Sequence, residues 1–255
     1  MPLSTTIILQ FIAYLNMQGT PYSSIASVLS AISYKHKSAD FPDPCKVFKV
    51  TQIMTSIKKS SIVKEKKLPI TLPLLNKMID SVQQLGLSDY ETTLYKSMFL
   101  LQFYFGLRIG EITDSQHNIS LSEISIQTDH ISLSFSTFKH STGNENSKHT
   151  VHSIKKGPCP VATLTKYLTM RGKDNGPLFK IKNKAVTRHN YNTQFKLVLQ
   201  LTGEDVSKYS SHSFRIGATN FWASKGLSEF QMKRLGRWKS DAVFKYLRGP
   251  IDHSF

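Results

Sequence analysis

The C-terminal part of the chain holds the residues whose types and spacing could act on a phosphate. His212 and Arg215 lie three residues apart in the segment HSFR, at the predicted start of a helix. That spacing puts both side chains on one helix face, and the free backbone N–H groups of a helix start also attract anions. The sequence therefore predicts an anion site at this helix start.

Four further residues extend this set. Tyr246 lies in the predicted final helix, ten residues after the glycine of the segment LGRW at 235–238. Arg108 belongs to the segment GLRIGE, directly after a predicted buried helix, and Glu111 ends that segment. Lys139 lies at the end of a predicted strand, where the chain enters a turn.

Several other kinds of active site are excluded by missing motifs. The chain contains no GxxxxGK[ST], GxGxxG, GxSxG or HExxH segment. A two-metal nuclease needs a cluster of carboxylates, yet Asp and Glu total only 17 against 33 Lys and Arg. The two cysteines, Cys45 and Cys159, lack zinc-site spacing, which favours a reducing compartment. Chemistry on a phosphate would therefore depend on cationic side chains, without a cofactor or metal.

The formal net charge of +16 favours a polyanionic partner, because Lys and Arg displace counterions from a phosphate backbone. Three of these cations, Lys64, Lys66 and Lys67, fall in a stretch of low apolar content at 61–68. We interpret it as a basic linker that could lie along DNA. The apolar segment Ile7–Leu15 is too short to span a membrane, and we interpret it as a core helix.

The elements that must position these residues are mostly helical. Residues 1–60 show three amphipathic stripes of spacing i, i+3, i+4, i+7, which predict a small helical bundle. Thr71 is a plausible N-cap for the next helix, and alternating apolar residues between 123 and 154 predict three short antiparallel strands, with a turn at 141–144. The later predicted helices are Pro160–Arg171, Arg188–Leu201, His212–Ser224, Ser228–Leu235 and Asp241–Arg248.

Together, the arginine box GLRIGE, a β-hairpin lysine, His-x-x-Arg, LGRW and a terminal tyrosine resemble the tyrosine recombinase (phage integrase) family. The resemblance covers the whole chain, and the wording at 212–248 is similar to recombinases of eukaryotic mobile elements. It implies a two-lobed fold, mostly α with a small antiparallel β-sheet. A helical, SAM-like core-binding DNA-binding domain at 1–60 would be short, as if an opening helix were absent. The basic linker at 61–68 and an α+β catalytic domain at 69–255 would follow.

The resemblance also implies the roles of the site residues. Tyr246 would attack a DNA phosphate and form a 3′-phosphotyrosine intermediate. Arg108 and Arg215 can each hold phosphate oxygens in bidentate fashion and stabilise the charge of the transition state. His212 would accept or relay the tyrosine proton, and Lys139 would protonate the leaving 5′-oxygen. Neither ATP nor metal is needed, because the phosphotyrosine ester keeps the bond energy.

The expected partner is double-stranded DNA, with four copies of the chain in a ring and no membrane. The apolar residues of the tail at 249–255 would dock on a neighbouring copy. An intracellular location is expected, nuclear if the source is eukaryotic.

One position departs from the family pattern. Family members usually carry His or Trp directly after the LG dipeptide, where this chain has Arg237, with Trp238 one residue later. Either residue could fill this slot, and we assign it to Trp238. Arg237 and Glu111 are then expected to contact the residues that bind the phosphate, with Glu111 orienting Arg108 or a neighbouring group. Two other functions stay open: a non-catalytic DNA-binding protein domesticated from a mobile element, and a type IB topoisomerase that only relaxes supercoils.

Overall fold

The structure, a computed structural model, describes residues 2–61, 67–135, 147–238 and 240–247. The chain divides into two compact units, Met1–Glu65 and Lys66–Phe255. This division falls inside the stretch that the sequence marks as a basic linker.

The first unit contains three helices: α1 (Thr5–Met17), α2 (Tyr22–Ser38) and α3 (Phe48–Ser60). The Ser4 hydroxyl accepts a hydrogen bond from the backbone N–H of Ile7 and so caps the start of α1. The predicted apolar stripes supply the core, which consists of Ile8, Ile12, Ile25, Leu29, Val50, Met54 and Ile57. Val28 and Ile53 follow the same i, i+3, i+4, i+7 spacing, but each is 39% exposed, because so small a bundle buries only part of its apolar surface.

The second unit contains seven α-helices among its described residues. They are α4 (Leu72–Ser81), α5 (Asp89–Tyr104), α6 (Ile109–Ile112), α7 (Pro160–Arg171), α8 (Arg188–Leu201), α9 (His212–Ser224) and α10 (Glu229–Gly236). Thr71 caps α4 as predicted, since its hydroxyl accepts a hydrogen bond from the Leu74 N–H. The architecture is mostly helical, and the sequence gives the bounds of α7, α8 and α9 correctly.

Helix α5 forms the centre of this unit. From Thr93 to Tyr104 all residues but Lys96 are buried, so the helix is enclosed on nearly every side rather than on one stripe. Phe99 stacks on Phe214 of α9, with ring centres 5.6 Å apart. A helix held this firmly fixes the turn that follows it.

A three-stranded antiparallel sheet is inserted after α6, as the sequence predicts. Its strands are β1 (Ile124–Ile126), β2 (His130–Phe135) and β3 (Ser147–His152), in the order β1-β2-β3. Ile124 pairs with Leu133, and His130 pairs with His152. The predicted turn at 141–144 lies outside the described residues. A second, two-stranded sheet, β4 (Lys180–Ile181) with β5 (Lys184–Ala185), was not predicted.

The predicted final helix Asp241–Arg248 is wrong in type and length. Residues Asp241–Lys245 form a 3-10 helix, and Tyr246 follows as its C-cap. The tight turn buries Val243 in a small cluster with Trp222 and Met232, and this tertiary packing outweighs the helical periodicity of the segment. Arg248 and the tail at 249–255 lie outside the described residues.

Candidate active site

Arg108 follows the central helix through a tight turn at Gly106. Gly106 has a φ of +57°, and a side chain there would lie 2.5 Å from the ring of Trp222. Glycine meets both conditions, because it tolerates positive φ and has no Cβ. The turn delivers Arg108 to the start of α6, with its side chain 27% exposed. Its guanidinium is therefore accessible to a ligand.

Arg215, on the first turn of α9, is almost completely buried, with 1% of its surface exposed. Its Nη1 donates a hydrogen bond of 2.6 Å to the carbonyl of Gly106, and its Nη2 donates to the carbonyl of Gly236. The guanidinium carbon lies 4.1 Å from the centre of the Trp238 ring, a distance that allows a cation–π interaction. These contacts fix Arg215 between the turn after α5 and the end of α10.

Tyr246 lies beside these residues. The centre of its ring is 5.0 Å from that of His212, 5.1 Å from that of Trp238 and 5.9 Å from the guanidinium carbon of Arg215. The carbonyl oxygen of Tyr246 accepts a hydrogen bond of 2.9 Å from the side-chain amide of Asn220. The structure thus brings a half-buried tyrosine, a histidine and a buried arginine into one site.

Arg237 and Trp238 point to different neighbours, although they are adjacent in sequence. Arg237 caps α10 with a φ of +54°, and its Nη2 donates a hydrogen bond of 2.7 Å to Oε2 of Glu111. Its guanidinium carbon also lies 4.0 Å from the centre of the Phe135 ring. Trp238 instead packs on Arg215 and Tyr246.

Glu111 joins the two arginines that flank it. Its Oε2 accepts the backbone N–H of Arg108 at 2.7 Å, and its Oε1 accepts Nη1 of Arg108 at 3.2 Å. Burial alone would raise the pKa of Glu111, but the adjacent cations Arg237 and Arg108 outweigh it and lower that pKa. Glu111 is therefore a carboxylate, and it bonds to both the main chain and the side chain of Arg108.

The site has an excess of positive charge. The carboxylate of Glu111 bonds to the guanidiniums of Arg108 and Arg237, and its charge also acts on the guanidinium of Arg215, so three cations meet one carboxylate among the described residues of the site. Burial, followed by repulsion from Arg108 and Arg237, lowers the pKa of Arg215 to about 9, so the group is still a cation at neutral pH. An uncompensated pair of guanidiniums suits an anionic phosphodiester.

His212 lies at the rim of the site, where part of its ring is exposed. Desolvation, and then the cations Arg215 and Arg108, lower its pKa below the usual value near 6.5. Its imidazole is therefore neutral at pH 7 and able to accept a proton.

Some predicted residues lie outside this description. Lys139, Lys64 and Lys66 are not among the described residues. The described part of β2 ends at Phe135, four positions before Lys139 and against Arg237. The amino group of Lys67 donates a hydrogen bond to the carbonyl of Ser207, so this lysine is bound to its own chain.

Sequence reasoning missed two contacts of the site, Asn220 with Tyr246 and Phe135 with Arg237. Asn220 bonds a main-chain oxygen 26 positions away, and Phe135 has an alternating position in a strand like any core residue. Neither contact has a signal in the sequence, because each depends on how distant elements pack.

One group of side chains among the described residues could hold a metal ion. Asp129, His130 and His152 have potential ligand atoms within 4.8 Å of one another. They lie at the opposite end of β2 from Phe135, roughly 17 Å along the strand at about 3.4 Å per residue. The cluster is therefore separate from the candidate active site.

No helix among the described residues combines the length and apolar character needed to cross a lipid bilayer. No family model matches the sequence, and a search of curated proteins finds no match to it.

Solved structures, in contrast, show clear similarity. The chain is similar to the XerH site-specific recombinase bound to its difH substrate, with 13% identity over 74% of this chain and 53% of the XerH chain, and a TM-score of 0.58. It is similar to the Tn1549 transposon integrase in complex with transposon right-end DNA, with 12% identity over 97% of this chain and 82% of that one, and a TM-score of 0.68. It is also similar to a lambda integrase dimer bound to a COC′ core site, with 15% identity over 96% of this chain and 64% of that one, and a TM-score of 0.61.

The chain spans about half the length of the XerH chain. At this level of identity the similarity establishes the fold, and the fold is that of tyrosine recombinases.

Proposed function

We propose that the protein is a site-specific DNA recombinase that breaks and rejoins DNA through a 3′-phosphotyrosine bond on Tyr246. The observation that carries this proposal is the packing of Tyr246 against His212, Trp238 and Arg215, within the cationic site that Arg108 completes. A fold shared with DNA-bound recombinases and integrases supports it.

The proposed reaction is a transesterification at phosphorus. The phenol oxygen of Tyr246 attacks, a bond from phosphorus to that oxygen forms, and the bond from phosphorus to the 5′-oxygen of DNA breaks. Neutral His212 takes the phenol proton, and Lys139 gives a proton to the leaving 5′-oxygen. The reverse reaction with a new 5′-hydroxyl joins the strands.

Two guanidiniums stabilise the transition state. Arg215 is pre-oriented by the carbonyls of Gly106 and Gly236, and Arg108 is held by Glu111. Groups fixed in this way stabilise developing charge without reorganising during the reaction. Trp238 shields the site and packs on both Arg215 and Tyr246.

The remaining assignments extend this proposal. Residues 1–60 act as the core-binding domain, 61–68 as a linker along the DNA and 69–255 as the catalytic domain. The protein acts on double-stranded DNA as a homotetramer, inside the cell and in the nucleus if its source is eukaryotic. The same proposal includes a relationship to recombinases of eukaryotic mobile elements, which the wording at 212–248 resembles.

We assign the tail at 249–255 to contacts between protomers in a head-to-tail ring. Deleting residues 250–255 should weaken the pairing of two DNA sites more than the binding of one site. Unchanged recombination after the deletion would contradict this assignment.

The proposed function is tested by incubating the protein with supercoiled plasmid that carries its target site. That site is first identified by selecting, from random-sequence duplexes, the DNA that the protein binds. A recombinase gives recombinant circles together with covalent protein–DNA adducts. Relaxed circles without recombinants would indicate a type IB topoisomerase activity instead. Tight binding with neither product would indicate a DNA-binding protein that has lost its chemistry.

A further inference from the structure

Asn220 connects the turn that carries Tyr246 to the helix that carries the histidine and arginine of the site. Its side-chain nitrogen donates a hydrogen bond of 2.9 Å to the carbonyl of Tyr246 and one of 2.7 Å to the carbonyl of Ile216. We propose that Asn220 is a positioning residue that holds Tyr246 in the active site of its own chain. This inference rests on the proposed function, because it assigns Tyr246 as the nucleophile.

The bond to Ile216 gives the amide a fixed direction. Ile216 lies one turn before Asn220 on α9, so its carbonyl is part of the helix itself. An amide nitrogen carries two protons, and when one binds the helix the other points to a defined place. That place is occupied by the carbonyl of Tyr246.

The turn that carries Tyr246 needs such an anchor. It consists of a five-residue 3-10 helix, Asp241–Lys245, and the Tyr246 N–H is bonded to the carbonyl of Val243. Short 3-10 helices have poor hydrogen-bond geometry and little stability of their own. Contacts with the rest of the unit must therefore hold the turn, and the bond from Asn220 acts on the tyrosine residue itself.

The same helix positions both sides of the proposed reaction. His212 and Arg215 begin α9, and Asn220 lies one to two turns later on it. The carbonyl that Asn220 binds is attached directly to the α-carbon that carries the phenol. Since reaction rates depend steeply on the placement of the attacking atom, this link should act on the rate of attack and not on the affinity for DNA.

The test compares Asn220→Ala and Asn220→Asp with the full-length wild-type chain. For Asn220→Ala we expect the rate of adduct formation at saturating DNA to fall by about 3- to 10-fold, the range for loss of one neutral hydrogen bond. Asn220→Asp should lose more, because a carboxylate oxygen would face the carbonyl of Tyr246. The DNA concentration for half-saturation should stay within about twofold of wild type.

A second measurement works without DNA. The chain has two tryptophans, of which Trp222 is buried at 5% exposure, while Trp238 is covered in part by the Tyr246 ring. If the turn loosens in Asn220→Ala, acrylamide should quench tryptophan fluorescence more strongly than in wild type. Ser224→Ala is the matched control, because it removes a side-chain bond on the same helix, from the Ser224 hydroxyl to the carbonyl of Phe221, that does not involve Tyr246.

The outcomes are distinguishable. Unchanged quenching together with a wild-type adduct rate overturns the role of Asn220. The adduct rate of Asn220→Ala could also fall only in proportion to weaker DNA binding and a lower Tm, with unchanged quenching. Asn220 would then only stabilise the fold, and this result also overturns its role as a positioning residue. If wild-type protein forms no adduct at all, the proposed function fails, and the quenching measurement still decides whether Asn220 holds the turn.

Discussion

The ion pair between Arg237 and Glu111 allows a prediction whose magnitude follows from burial. The two side chains are 1% and 4% exposed, so replacing Arg237 with Met leaves the carboxylate of Glu111 buried with Arg108 as its remaining cation. Removing one partner of a buried pair typically costs about 3–5 kcal/mol, and since Arg108 stays, we expect the lower end, about 3 kcal/mol. For a domain of this size that lowers Tm by roughly 6–12 °C, at about 2–4 °C per kcal/mol.

Thermal unfolding of Arg237→Met and of the double variant Arg237→Met/Glu111→Met measures this effect. The double variant should regain part of the lost Tm, because the buried carboxylate is removed together with the guanidinium of Arg237, while Arg215 keeps its bonds to the carbonyls of Gly106 and Gly236. Its adduct formation should stay low, because Arg108 has lost both of its bonds to Glu111. Lys233→Met is the control, since Lys233 lies on the same helix, its ion pairs are with the exposed carboxylates of Glu229 and Asp241, and their loss should change Tm little. A single variant as stable as wild type would refute the reasoning.

Three further predictions concern catalysis, binding and acid stability. Lys139→Ala should cleave normal DNA slowly. A substrate with sulfur at the bridging 5′ position, whose leaving group needs no proton, should largely restore the rate of Lys139→Ala but not that of Arg215→Ala. Equal restoration of both variants, or of neither, would exclude Lys139 as the acid. DNA affinity should fall steeply with salt, with a slope of several units in a plot of log K against log salt. A flat response would contradict binding through Lys and Arg contacts to DNA phosphates. Burial, followed by repulsion from Arg237 and Arg234, lowers the pKa of His149 to about 4. Between that pH and about 6.5 the unfolded chain therefore binds a proton at His149 that the folded chain does not bind. The free energy of unfolding should fall by roughly 3 kcal/mol as the pH drops from about 6.5 to 4. Replacing His149 with Gln should remove that part of the acid sensitivity in urea unfolding curves.

Local signals in the sequence were sufficient for most elements of the fold. The helix Arg188–Leu201 has an N-cap threonine and a regular apolar stripe, and its predicted bounds match the structure. The three-stranded sheet was predicted from alternating residues, because one of its faces is buried. These features are encoded within a few residues of where they appear.

Features that depend on tertiary packing could not be predicted in the same way. The periodicity at 241–248 favours an α-helix, yet burial of Val243 stabilises a 3-10 turn there. The sequence names Arg237 and Trp238 as candidates for one slot, but no local pattern predicts that Arg237 bonds to Glu111 while Trp238 packs on Arg215 and Tyr246. Asn220 has no sequence signal, since its acceptor is a main-chain oxygen of a distant residue.

The central claim is that Tyr246 becomes joined to DNA, and covalent capture tests it most directly. A library of random-sequence duplexes is used, because the target sequence cannot be read from the sequence of the chain. Wild-type protein would be incubated with this library, then denatured and separated from DNA that is not covalently bound. After nuclease digestion, mass spectrometry should find a nucleotide attached to the peptide that contains Tyr246, and Tyr246→Phe should yield no adduct while still binding duplex DNA. An adduct that persists in Tyr246→Phe, or a nucleotide attached to another residue, would contradict the account.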